Sequence, residues 1–458
     1  MSGIPQPEER FREVARGAIA NEHMQGALDA ATARLYDNRL AAWDELDDVE
    51  ALREQAHEIR MRTIDDLDKH VAEFTSAFES RGGHVRFAAT GDEACSYVVD
   101  VCSRAGAKVV AKSKSMATEE IRLNAALEQV GVKPVETDLG EYILQLAGEH
   151  PAHIVAPAID KTAQDVAELF SRVEGRPVEP ALEQLAQAAR RQLREVFESA
   201  DVGLTGANFG VCETGSICLV TNEGNGRLVS SLPRVHVAIL GMERLVPTLA
   251  ELAVLLKLLG RSGTGQRLTT YTTLITGPRR AGEQDGPDEL HVVILDNGRS
   301  NLRHGRYREM LACIRCGACL NVCPVYRKSG GGAYGPVYSG PMGAVLVPLL
   351  VGLEKAPALP HASSLCGACT AACPVKIPLH ELLLDLRRDL VADRVAPWTE
   401  RAAFAVWSYL WARPWGYRLS TTLARLGRPL GALAGPGRTW AGGRSLPPLG
   451  GGRYRDRR

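Results

Sequence analysis

The 458-residue chain has no surplus of either charge: Lys+Arg and Asp+Glu are both 54. Without a strong overall field, charge does not mark it as a nucleic-acid binder or a ligand for anionic membranes. It also lacks an apolar run of the ~18–20 residues that a bilayer span requires. The longest apolar stretch, Gly343 to Leu353, is broken by Pro348 and is expected to be core or a docking surface. The opening MSGIPQPEERFREVARGAIA has no unbroken apolar core of a secretory signal. The expected compartment is therefore the cytoplasm, with any membrane contact peripheral, at the inner membrane face. No strand is followed by Gly-x-Gly-x-x-Gly opening a helix, so nothing argues for a bound NAD or FAD, and an organic redox cofactor is expected on another chain. Cysteine is sparse over most of the length: of eleven, only Cys95, Cys102, Cys212 and Cys218 lie outside the segment Cys313–Cys373.

What is present is ordinary in composition, 45% hydrophobic and 24% charged, which leaves no room for a mainly disordered or collagen-like chain. At roughly 100–200 residues per domain the length predicts two to four domains. Residues 1–80 read as a helical arm or cap, with Leu52, Ile59, Ile64, Leu67, Val71 and Phe74 on one stripe. Residues 81–300 alternate β-rich runs (107–111, 154–156, 217–220, 235–240, 291–295) with helical stretches (119–130, 163–173, 182–199, 245–259). That alternation predicts an α/β domain with a mostly parallel sheet. Residues 301–392 hold the crowded cysteines and a following helix whose Leu379, Leu382, Leu383, Leu386 and Leu390 share one face. Residues 393–458 begin with Trp398, Trp407, Trp411 and Trp415 and end Gly-, Pro- and Arg-rich, predicting a helical segment and a flexible tail.

In a reducing compartment dense cysteines read as metal ligands or redox groups. Cys313-x2-Cys316-x2-Cys319-x3-Cys323-Pro324 matches the spacing of bacterial-type [4Fe–4S] ferredoxins without a departure. In two-cluster ferredoxins the fourth cysteine serves the other cluster, so a partner motif is required. Cys366-Gly-Ala-Cys369-Thr-Ala-Ala-Cys373-Pro374 supplies it, with Ser363 where a leading cysteine would stand. Cross-ligation assigns Cys313, Cys316, Cys319 and Cys373 to one cluster, and Cys323, Cys366 and Cys369 to a second that has only three thiolates. The remaining iron is capped by the Ser363 or Ser364 hydroxyl, by water, by a partner's ligand, or is lost to leave [3Fe–4S]; such a cluster should be labile, a point of assembly or regulation. Structural zinc is the bland alternative, but seven cysteines do not make two all-thiolate sites of four. Cys95, Cys102, Cys212 and Cys218 sit in apolar or strand-like contexts and read as buried, inert thiols.

A second conspicuous stretch, Gly206 to Arg227, brackets a strand with Glu213-Thr-Gly-Ser and Asn222-Glu223-Gly-Asn-Gly. Such groups at strand ends suit ligands in open α/β sheets, and equally suit two tight turns. With Lys112-Ser-Lys114-Ser-Met through Glu136-Thr-Asp-Leu-Gly, and with both cysteine motifs, this stretch resembles the lactate utilization protein B family over residues about 20 to 400. The resemblance implies a lactate-utilization domain of ribose-5-phosphate isomerase/CoA-transferase-like α/β fold followed by a helical [4Fe–4S] domain. It implies electron transfer during oxidation of L-lactate to pyruvate, companion subunits, and an acceptor such as a quinone or flavoprotein. The family also has three cysteines in its second motif.

Two neighbouring one-electron centres suit a relay between a two-electron donor and the next carrier. Lys112, Lys114, Asn208, Glu213 and Asn222 are candidate anion contacts, with solvated lysines and turn-forming groups as the plainer reading. Arg315, beside the first cluster, either tunes its charge, contacts a partner, or is an exposed loop residue. The alternative function is a transferase or isomerase using Glu213 or Glu223, its clusters structural or sensing.

Overall fold

The computed structural model describes residues 8–426, apart from 150, 152, 154, 336, 396 and 397. One compact unit runs to Asp389 and a second begins at Leu390. Four helices open the first unit, Glu8–Ala20, Glu22–Asp44, Val49–Asp65 and Leu67–Ser80. Side chains of Asn21 and Asp48 cap the second and third, each accepting a backbone N–H that the first helical turn leaves without a partner. The apolar stripe expected of this region is inward-facing: Ile59, Ile64, Leu67 and Phe74 are buried. Leu28, Ala56, Ile59 and Ile64 share one core with Leu311, Leu320, Tyr326 and Leu383 of the cysteine-rich segment.

Ten strands follow: β1 (His84–Ala88), β2 (Val109–Lys112), β3 (Lys133–Glu136), β4 (Val202–Gly206), β5 (Phe209–Val211), β6 (Ser216–Thr221), β7 (Val235–Gly241), β8 (Leu245–Val246), β9 (Tyr271–Ile275) and β10 (Glu289–Leu295). Six form a parallel sheet in the order β1-β10-β7-β4-β2-β3. Central β7 is buried throughout, and its alternate residues enter opposite layers. Val237 and Ile239 join Val98 and Val110, whereas Ala238 and Leu240 join Phe74 and Phe78. A strand covered on both faces must be apolar at both parities, which is why this run does not alternate with polar residues. A smaller sheet, β8-β5-β6-β9, carries the β5–β6 hairpin beside it.

Three elements depart from the sequence expectation. The helix expected over 119–130 is two helices, Met116–Glu120 and Leu123–Gln129, because Arg122 takes a left-handed conformation between them. The helix expected from 245 starts at Leu249: Pro247 disfavours helical backbone at the preceding residue, and Thr248 with Glu251 closes a capping box. In the run expected as a strand at 154–156, Val155 and Ala156 are irregular and residue 154 lies outside the described residues. His153 accounts for this, since its Nδ1 accepts the N–H groups of both Val155 and Ala156.

The apolar stretch near Gly343 lies in the helix Gly340–Val351, whose residues Gly340 to Pro348 are buried core. Leu379, Leu382, Leu383 and Leu386 are likewise buried. No helix among the described residues is long and apolar enough to cross a membrane. The second unit holds the helices Trp398–Trp411 and Pro414–Leu426, on which Trp398, Trp407, Trp411 and Trp415 are exposed. The Gly-, Pro- and Arg-rich tail lies outside the described residues.

A buried ionic network ties the sheet to the cysteine segment. Arg299 forks onto Glu120 (Nη1 to Oε1 2.9 Å, Nη2 to Oε2 2.8 Å), and its Nε lies 2.7 Å from Glu243 Oε2. Tyr338 Oη donates to Glu120 Oε2 at 2.6 Å, and Arg315 Nη2 reaches Glu243 Oε1 at 3.4 Å. Burial alone would raise the Glu120 carboxyl, but the Arg299 guanidinium and its hydrogen bonds outweigh it and hold the group down to about 2. Removing one partner would leave buried charge uncompensated.

Arg299→Met is therefore expected to lower unfolding free energy by about 3–5 kcal/mol, measured by denaturant titration. Glu120 has a folded value below its ordinary 4.5. Its stabilising contribution is complete above that ordinary value and is lost as pH falls towards about 2. Denaturation midpoints across this window should fall more steeply for the native chain than for Glu120→Gln.

Candidate metal centre and adjoining cavity

Two loops of like conformation present the clustered cysteines. Arg315 (φ 60°) and Gly317 (φ 81°) precede the short helix Ala318–Asn321; Leu365 (φ 54°) and Gly367 (φ 80°) precede the helix Ala368–Ala372. Left-handed backbone on either side of a cysteine curls the chain and turns N–H groups inward. Arg315 N–H donates to Cys313 Sγ, Tyr326 N–H to Cys323 Sγ and Ile377 N–H to Cys373 Sγ, at 3.4–3.5 Å. Such N–H contacts stabilise sulfur that carries negative charge.

The fold brings the seven thiols into two sets. Cys373, far along the chain, shares one small enclosed cavity with Cys313, Cys316 and Cys319, walled by Met342, Val375, Ile377 and Leu379. Cys316 is pushed up by burial and then by the negative charge of Cys373 and Cys313; Cys373 is pushed up by burial and by Cys313. Cys369 is raised to about 11 by burial and by Cys323 and Cys366, and Cys323 by burial and by Cys366. Cys319 is raised by burial and then by Cys313, Cys316, Cys369 and Cys373. Crowded buried thiols resist ionisation by themselves. Bound iron reverses that balance, because a coordinated thiol is deprotonated. The donor set therefore fits two iron–sulfur clusters, each gathered across both motifs.

Cys366 differs. It is exposed, and its thiol is lowered, first by the Ala368 N–H and then by the Ser364 side chain. The seven thiols thus range from buried (Cys319, Cys323, Cys369 and Cys373) through partly exposed (Cys313 and Cys316) to exposed (Cys366).

Arginines far away in sequence hold the loop carbonyls. Arg53 donates to Cys373 O (Nη2, 2.7 Å) and Ala371 O, Arg39 to Ala372 O, and Arg60 to Leu311 O and Leu245 O. Arg244 donates to Cys313 O at 2.6 Å and Ile314 O at 3.2 Å. The buried Arg60 and Arg244 are lowered by burial, to about 9 and about 10, and stay charged at neutral pH. Sequence spacing could not flag these residues, because the contacts they make are with backbone carbonyls remote in the chain.

A cavity of about 420 Å³ opens where the parallel strands end. Residues just beyond β2 (Ser113, Lys114, Ser115), β4 (Asn208) and β7 (Glu243, Arg244) line it, and Arg315, Cys316 and Tyr338 form another wall. This is where open α/β sheets bind ligands. Cys316 reaches the cavity because Gly263 lets the helix Leu249–Gly263 lie on the cysteine loop. A Cβ at Gly263 would stand 2.6 Å from Cys316 O.

The structure sorts the candidate anion contacts. Lys114, Asn208 and Asn222 line the cavity; Lys112 and Glu213 do not. Lys112 is buried between Glu119 and Glu136, and Glu213 accepts the Leu249 N–H at 3.0 Å. Lys114 Nζ is 3.6 Å from Glu141 Oε1 and has no hydrogen-bond partner. Asn208 and Asn222 commit their oxygens to the N–H groups of Val220 and Thr270, leaving amide donors for a ligand. Glu223 also lines the cavity, its carboxyl raised by burial and then by Asp138. Arg315 is no exposed loop residue: it stacks on Tyr338 and pairs with Glu243. Of the two turns in the Gly206–Arg227 stretch, the first is structural, since Gly215 packs on the backbone of Ala77 and Phe78, and the second lines the cavity.

Cys95, Cys102, Cys212 and Cys218 are all buried, and burial raises their thiols to about 11, 12, 12 and 12 respectively.

Comparison with known proteins gives the same two parts. A LUD domain profile matches residues 71–295 and a 4Fe-4S dicluster domain profile residues 309–377. The chain is 46% identical over 457 residues to proteins named "Lactate utilization protein B" of Bacillus thuringiensis (strain Al Hakam) and Bacillus anthracis (strain A0248). The match covers 98% of this chain and 96% of each relative. A DUF162-family protein of Deinococcus radiodurans is 15% identical, with 50% of this chain and 98% of that chain covered, at a TM-score of 0.29.

Anaerobically reconstituted protein should contain about eight iron and eight acid-labile sulfide per chain, the content of two four-iron clusters. Zinc without sulfide would overturn the assignment. Cys373→Ala should perturb the same electron paramagnetic resonance signal as Cys313→Ala, and Cys323→Ala the other one.

Proposed function

Since the chain belongs to the lactate utilization protein B family, we propose that it is the iron–sulfur subunit through which electrons leave the oxidation of L-lactate to pyruvate. One observation carries this reading: Cys313, Cys316, Cys319 and Cys373 line one small cavity, Cys316 also lies on the wall of a donor-lined cavity, and Cys366 is exposed at the surface. Oxidation of the hydroxy acid releases two electrons and two protons, and the clusters, when bound, supply single-electron steps. Arg39, Arg53, Arg60 and Arg244 hold backbone carbonyls in and beside the cysteine loops, so the ligand positions are preorganised and positive charge lies around Cys313 and Cys373. Hydrogen bonds and charge of this kind are what set a cluster's potential.

Lys114, Asn208 and Asn222 give the cavity N–H donors suited to an organic anion. On this reading companion subunits perform the two-electron chemistry, and a quinone or flavoprotein accepts electrons near Cys366, with any membrane association peripheral. We read the α/β domain as ribose-5-phosphate isomerase/CoA-transferase-like in fold and not in activity. In the transferase alternative, Glu223 is the carboxylate available in the cavity.

With companion subunits present, L-lactate should bleach the visible absorbance of the reconstituted chain under anaerobic conditions, and should not do so without them. Turnover of a CoA ester or sugar phosphate by cluster-free protein would favour the transferase instead. Lys114→Met removes a charged donor worth about 1.5–3 kcal/mol, so binding of L-lactate to the cavity of the reconstituted chain, measured by isothermal titration calorimetry, should weaken about 10- to 150-fold. Bleaching by dithionite should not change.

A further inference from the structure

The second cysteine motif repeats the first at a constant offset of 50 positions (316 to 366, 319 to 369, 323 to 373), which places Ser363 in register with Cys313. The structure extends that register from sequence to backbone. Arg315 and Leu365 are both left-handed, as are Gly317 and Gly367, and a helix starts at Ala318 in one loop and at Ala368 in the other. Arg315 N–H donates to Cys313 Sγ at 3.4 Å; Leu365 N–H donates to Ser363 Oγ at 3.0 Å. The side-chain heteroatom of Ser363 therefore receives the contact that a ligand sulfur receives in the first loop.

Ser363 is also held in place. Arg387 donates through Nη2 to Ser363 O and through Nε to Pro360 O, both at 2.8 Å, fixing the chain on either side of the loop's entry. Ser364, by contrast, is exposed, and its side chain hydrogen-bonds to Cys366. The two serines thus have different tasks.

We propose that Ser363 Oγ is the fourth protein ligand of the cluster held by Cys323, Cys366 and Cys369, and that Ser364 supports the Cys366 sulfur without binding iron. An Oγ–Fe bond forms, and the hydroxyl proton leaves to solvent. Oxygen is a harder donor than thiolate, so the iron at Ser363 is the first to be lost on oxidation or chelation. This inference rests on the two-cluster reading.

The test compares Ser363→Ala, Ser363→Cys and Ser364→Ala in the full chain, reconstituted anaerobically, by iron and sulfide content, electron paramagnetic resonance and Mössbauer spectroscopy. Ser363→Ala should hold about seven iron and show the signal of an oxidised three-iron cluster, whereas Ser364→Ala keeps about eight. Ser363→Cys should keep about eight and resist chelator for longer than the native chain. If Ser363→Ala does not fold, the native chain and Ser363→Cys still decide. One iron site with oxygen-ligand Mössbauer parameters should be present in the first and replaced by an all-sulfur site in the second. Eight irons retained in Ser363→Ala, or identical Mössbauer spectra for native protein and Ser363→Cys, would overturn the ligand assignment and leave two clusters standing. A chain without iron or sulfide would instead overturn the two-cluster reading itself.

Discussion

The buried chain of charge Glu120–Arg299–Glu243–Arg315 is the constraint on which the rest of the arrangement depends. Each carboxylate is paired with groups from more than one part of the fold: Glu120 by hydrogen bonds from Arg299, Asn297 and Tyr338, and Glu243 by ion pairs with Arg299 and Arg315. Buried ions are tolerated only when every partner is in place, so the network specifies one registration of the parallel sheet against the cysteine-rich segment. That registration puts Arg315 and Cys316 on the wall of a cavity whose other lining comes from the ends of β2, β4 and β7. A binding crevice at strand ends is a generic property of α/β sheets. Here a cysteine loop is set against it.

The same segment faces a second constraint, the crowding of thiols, since burial and neighbouring cysteines push those of Cys316, Cys319, Cys323, Cys369 and Cys373 up. The protein answers with rigidity. Guanidinium groups from the N-terminal helices and from the β7 exit take the loop carbonyls, and N–H groups point at the sulfurs of Cys313, Cys323 and Cys373. The first 80 residues, which by pattern are only amphipathic helices, thus contribute Arg39, Arg53 and Arg60 to the surroundings of the metal centre. Exposure rises from the buried Cys319, Cys323, Cys369 and Cys373 to the exposed Cys366, so the thiol cluster runs from the interior to the surface.

Much of this could be read along the chain. Hydrophobic runs located β7 and β10 because both faces of those strands are covered, and the stripe through Ile59 and Phe74 located the inner face of the first helices. Sequence reading failed where a side chain overrode a local preference. His153 takes the N–H groups that would have extended a strand at Val155, and Arg122 breaks a helix. Among the polar candidates the motif around Lys112 to Lys114 looked uniform; one lysine proved to be an internal counter-ion and the other a cavity group, because β2 ends at Lys112 and strand alternation no longer governs Lys114.

By itself the sequence determined that this is a 4Fe-4S dicluster segment, because two closely spaced cysteine runs, each ending Cys-Pro, are the pattern that iron–sulfur clusters demand. It also determined the alternation that makes a parallel sheet. Only the tertiary structure decided which cations serve the metal centre, which polar residues face the cavity, and that Ser363 shares the backbone setting of Cys313. Those outcomes depend on contacts between residues tens to hundreds of positions apart, and they are set by packing and burial, which no local pattern encodes.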